Sequence, residues 1–103
     1  MGPWISRDNI MKASTARVPT KSGARYLVQL CKHWAHKFPV EVGDGRGVVR
    51  FPSASAQMQA DDAALTVIVE AEDAETLERM KDVVARHLDR FAFREAPLPF
   101  SWS

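Results

Sequence analysis

At 103 residues the chain can build one domain with a single modest core, and its 46% hydrophobic and 26% charged residues are ordinary for a globular protein. No apolar run approaches the roughly 20 residues of a membrane span. The single cysteine excludes an intramolecular disulfide framework, and no basic-then-apolar leader opens the chain, so the cytoplasm is the expected compartment.

The net charge of +1 carries no message about nucleic acid, but its distribution is uneven. From Lys12 to Arg50 there are eight basic residues against Glu41 and Asp44, and from Phe51 onward five basic against ten acidic. Such a division suits an anionic ligand or an oriented partner, although two solvated helix faces of opposite sign account for it as well.

Residues 1–12 follow neither helical nor strand periodicity and are expected to form a loose arm, with Met11 an alternative start and one α+β domain spanning 13–103. Ala13 to Val18 alternates small apolar and polar residues, a short strand ended by Pro19. A helix is expected from Ala24 to Phe38, with Thr20 or Ser22 as its N-cap and Pro39 as its stop. At about 100° per residue, Ala24, Leu27, Val28, Leu30, Cys31, Trp34 and Ala35 fall in one apolar arc, Tyr26 lies at its edge, and Arg25, Gln29, Lys32, His33, His36 and Lys37 lie opposite. Val40 to Val42 and Gly47 to Phe51 form a hairpin around Asp44-Gly45, two residues that tolerate positive φ. No helix start or P-loop lysine follows, so Arg46 beside this turn is not read as a phosphate cradle.

Ala56, Met58 and Ala60 mark a half-buried strand, Asp61-Asp62 a turn, and Leu65, Val67 and Val69 a central strand whose Ile68 is partly covered on the second face. Asp73 caps a second helix that aligns Leu77, Met80, Val84, Leu88 and Phe91, with His87 at the boundary, and the chain leaves it after Phe93. Leu98, Phe100 and Trp102 alternate in a last extended segment that Pro97 and Pro99 confine to a sheet edge. The order β-α-β-β-β-β-α, with a C-terminal edge strand, describes a two-layer α+β fold: a mostly antiparallel sheet with both helices on one face.

The run Cys31-Lys32-His33-Trp34-Ala35-His36 invites a metal reading, since Cys and His are common zinc and iron ligands. One helix cannot aim Cys31, in the apolar arc, and the two histidines, in the polar arc, at one ion, so Cys31 is read as a small buried hydrophobe. His33 and His36, three apart, lie side by side. They could share a metal or hold a proton near neutral pH, against the plainer reading of two solvated histidines near a helix C-terminus.

ARYLVQLCKHWAHKF, then RGVVRF, then ALTVIVEAEDAETLERMKDVVARHLDRFAFRE resembles the bacterial domain-of-unknown-function 2218 family, from about Ser14 to the end. The resemblance implies a TATA-binding-protein-like layout. Similar domains occur beside flavin-binding siderophore-interacting modules, which implies a link to iron acquisition, although this chain has no flavin module.

If the helices meet antiparallel, Lys32, His33, His36, Lys37, His87, Arg90 and Arg94 gather near the helix C-termini as a cationic, histidine-bearing surface suited to carboxylate, catecholate or phosphate groups, and Arg25 joins them as a candidate ligand-binding residue. The first expectation is therefore a small binding or accessory domain for an anionic small molecule or another protein. The alternatives are a metal or haem site at His33 and His36 with His87, and an enzyme with a histidine general base, for which no accompanying triad or carboxylate pair is found. Nucleic-acid binding is disfavoured by the acidic second helix and the lack of interleaved aromatics. A homo-oligomer through the open sheet face or the last segment is compatible with the pattern.

Overall fold

The computed structural model describes residues 12–103. The elements run β1 (Lys12–Pro19), α1 (Gly23–Trp34), β2 (Val40–Gly43), β3 (Arg46–Phe51), β4 (Ala54–Ala60), β5 (Ala64–Ala71) and α2 (Ala74–Phe91), the expected β-α-β-β-β-β-α order. The expected N-terminal arm lies outside the described residues except for Lys12, which opens β1.

The sheet order is β1-β5-β4-β3-β2 and every pair is antiparallel. Three tight connections link β2 through β5. In the first, Asp44 and Gly45 both take positive φ, 52° and 74°, the backbone that a two-residue hairpin needs to match strand twist. In the third, Asp61 Oδ1 accepts from the amides of Ala63 and Ala64, both at 2.8 Å. Strand β5, the central strand by pattern, lies between β1 and β4 with Leu65, Val67 and Val69 fully buried and Ile68 half-buried on the other face.

Both helices cover the same face. Registered rows of that face, such as Ala16, Val67, Met58 and Gly47, supply the sheet side of the core. The helices supply Leu27, Leu30, Cys31 and Trp34 from α1 and Leu77, Val84 and Leu88 from α2. Gly47 is where α1 comes closest: a β-carbon there would stand 2.7 Å from Cys31 Sγ and 3.3 Å from Leu27 Cδ1. The uncovered face carries polar rows such as Arg17, Thr66, Gln59 and Arg46.

Helix α1 departs from the sequence expectation in three ways. It ends at Trp34 rather than Phe38, because the chain tightens there: the Lys37 and Phe38 amides both donate to the Trp34 carbonyl, at 3.0 and 2.9 Å. Neither Thr20 nor Ser22 caps it by side chain; Thr20 Oγ1 instead accepts from the Ser22 amide at 3.1 Å. Its buried arc is also rotated, with Tyr26 buried and Ala24 and Ala35 exposed. By contrast, α2 is capped as expected, Asp73 Oδ1 accepting from the Thr76 amide at 2.7 Å, and it ends at Phe91, two residues earlier than the pattern suggested. The final segment lies along β1, where Thr15 and Ser103 exchange main-chain bonds of 3.2 and 2.9 Å around an Ala16–Trp102 bridge.

Candidate functional site

The two helices run in opposite directions along a shared seam. His33, near the end of α1, faces His87 and Phe91 of α2, with ring centroids 5.3 and 5.9 Å apart. Arg25, near the start of α1, shares a groove with Arg94, just beyond the end of α2. The antiparallel arrangement expected of the helices sets His33 beside His87 near both helix C-termini and Arg25 beside Arg94 farther along the seam.

At the histidine end, His87 packs on Trp34 with centroids 4.7 Å apart, and Trp34 meets Phe51 edge-on at 5.0 Å. The His87 ring bonds to its own helix through Nδ1 and the Val83 carbonyl, 2.7 Å away, rather than to the sheet or to α1. A carbonyl only accepts, so Nδ1 carries the proton and Nε2 of the neutral ring is left as an acceptor. Burial pulls the His33 pKa below its ordinary 6.5, helped by the charges of His87, Arg90, His36 and Lys37. The ring is thus biased toward its neutral form near physiological pH.

His36 and Lys37 sit in the turn after α1 and, like Lys32, are exposed. Among the described residues, no three His, Cys, Asp or Glu side chains assemble into a metal-holding group. Cys31 is fully buried, and desolvation raises the pKa of its thiol. Arg90 lines a separate shallow surface with Arg86 and His87.

At the arginine end, the groove of about 240 Å³ is lined by Arg25, Tyr26, Gln29, Phe91, Phe93 and Arg94. The guanidinium carbons of Arg25 and Arg94 lie 5.8 Å from the ring centroids of Tyr26 and Phe93, respectively. Neither guanidinium forms an ion pair with a carboxylate among the described residues; the ion pairs there join Arg50 to Glu41, Lys81 to Glu78 and Arg86 to Asp82. The nearby carboxylate of Glu95 is otherwise engaged. Its Oε2 accepts from the Tyr26 hydroxyl and, at 3.0 Å, from Thr20 Oγ1. That pair of bonds ties the segment after α2 to both α1 and the β1–α1 loop.

Sequence reasoning placed Arg25 and Arg94 on one surface but missed Tyr26, Gln29, Phe91 and Phe93 as parts of it. Phe93 was the detectable member: it is a large apolar residue beyond the last buried turn of α2, and it is 72% exposed.

No curated protein matches the chain. Among solved structures, it is similar to the NMR structure of PA4090 from Pseudomonas aeruginosa, with 38% sequence identity over 88% of this chain and 94% of that one, at a TM-score of 0.76. The family model for DUF2218, uncharacterized proteins conserved in bacteria, matches residues 15–103. The chain belongs to the DUF2218 family.

Proposed function

We propose that this protein is a small cytoplasmic binding or accessory domain that holds an anionic small molecule on the α1–α2 seam. The observation that carries the reading is the convergence of Arg25 and Arg94, from opposite ends of the domain sequence, on one groove with no ion-paired carboxylate. A guanidinium offers paired N–H donors to a carboxylate or phosphate oxygen, and two of them in one groove are stronger than either alone. The family resemblance supports iron–siderophore traffic as the setting. A second reading, a metal shared by His33 and His87 with His36 drawn in from the following turn, draws support from the 5.3 Å separation of the His33 and His87 rings.

One NMR titration separates the two. Sodium acetate and sodium sulfate are expected to shift the Arg25 and Arg94 side-chain Nε–H signals, and Arg25→Gln is expected to weaken the response of the Arg94 signal at least tenfold, as loss of charge-assisted bonds of about 1.5–3 kcal/mol requires. Zinc sulfate shifting the His33 and His87 ring signals, with the arginine signals unmoved by either sodium salt, would replace the anion reading with the metal one.

A further inference from the structure

We infer that the ligand of the Arg25–Arg94 groove is an aromatic carboxylate, an inference that rests on the anion reading above and specifies it. Three features of the groove point to a flat, compact molecule.

The first is Phe93. A phenyl ring 72% exposed at the mouth of a groove is apolar surface that folding has left in water. It lines the groove together with Phe91, which is half-buried against His33, so two phenyl rings contribute to the groove, one at the seam and one at the surface. A ligand ring laid against these gains area burial and the offset or edge-on contact that aromatic quadrupoles favour.

The second is the joining of charge to ring. Arg94 lies over Phe93 and Arg25 over Tyr26, so each guanidinium is presented beside an aromatic face. A carboxylate attached directly to a ring matches that pairing, since the ring meets the phenyl while the two oxygens meet the guanidinium fork. Gln29 adds an amide between the two ends.

The third is size. At about 240 Å³ the groove falls below the roughly 300–1,000 Å³ of sites for larger ligands, so it suits a compact ring compound.

The test compares benzoate, cyclohexanecarboxylate, acetate and sulfate on the full chain by NMR titration, with Phe93→Leu as the variant. Because Phe93 is mostly exposed, the variant keeps the fold. Benzoate is expected to bind roughly 2- to 12-fold tighter than its saturated counterpart, the range for one aromatic pair. Phe93→Leu is expected to abolish that preference while leaving the acetate response in place. Equal affinity for the two ring acids, or a preference that survives Phe93→Leu, would overturn the inference. If acetate and sulfate move the arginine signals while benzoate gains nothing, the ring inference fails and the anion reading stands. If none of the four moves them, both fail.

Discussion

Helix α1 starts with no side-chain cap and no acidic residue in its first turn, whereas α2 starts with the Asp73 cap and Glu75. The uncapped helix is nevertheless the more closely seated of the two. A β-carbon at Gly23 would lie 3.0 Å from Leu65 Cβ, Gly47 of β3 leaves room for Cys31, and Leu27, Leu30 and Cys31 are fully buried. Helix α2, six residues longer, buries Leu77, Val84 and Leu88 and leaves Met80 and Phe91 half-exposed. Its surface ion pairs, Lys81–Glu78 with only the carboxylate exposed and Arg86–Asp82 with both partners exposed, add little in water. One helix is thus held by tertiary packing and the other by packing assisted from its own first turn. The seam between them places a tightly held wall opposite one whose last turn presents rings to solvent.

That contrast can be broken at its strongest point first. Leu30→Ala should lower unfolding free energy by about 2–5 kcal/mol in urea, and clearly more than Met80→Ala on the half-buried face of α2. Comparable losses at the two sites would show that the helices are held alike.

Gly47→Ala tests the closeness of α1 directly. The added methyl group meets Cys31 Sγ, and overpacking of this kind costs about 1–3 kcal/mol. In combination with Cys31→Ala the two changes should cost less than their sum, because the second makes room for the first. Strict additivity in that cycle would mean that the helix moves away instead.

The smallest expected effect belongs to the cap of α2. Hydrogen bonds from the Thr76 backbone and side chain hold the Asp73 pKa below its ordinary 3.8. A carboxylate with a lowered folded-state pKa stabilises the native state at neutral pH, and that contribution disappears as pH falls through and below 3.8. Asp73→Ala should therefore be less stable than the parent at pH 7, with the gap closing on acidification. A gap that stays constant down to pH 2 would detach the cap from the charge of Asp73.

Most of the architecture was legible because the signals were local. Period-two alternation marked β4 and β5, Asp44-Gly45 marked the hairpin, and Asp73 marked the start of α2. The end of α1 was misplaced because helical periodicity persists to Phe38, while the hydrogen bonds converge on the Trp34 carbonyl. The groove was only half legible. Arg25 and Arg94 were grouped by charge, but the bonds that tie the segment carrying Arg94 to α1 join Thr20 and Tyr26 to Glu95, across 75 and 69 residues. No periodicity connects a hydroxyl with a carboxylate at that distance. His87 was placed at the boundary of the apolar face, and it bonds Val83 within its own helix while its ring packs on Trp34 of α1.

The two borders of the sheet differ in what they offer a neighbour. Along β1, Thr15 already exchanges main-chain bonds with Ser103, and Ser14 Oγ donates to the Ser103 carbonyl at 3.0 Å. Along β2, four residues with Val42 47% exposed face outward with no further strand among those described. Among the described residues, strand addition is therefore open along β2 and obstructed in the middle of β1. Two copies meeting β2 to β2 would use up that border of each and leave the obstructed one outermost, which disfavours growth into a fibre.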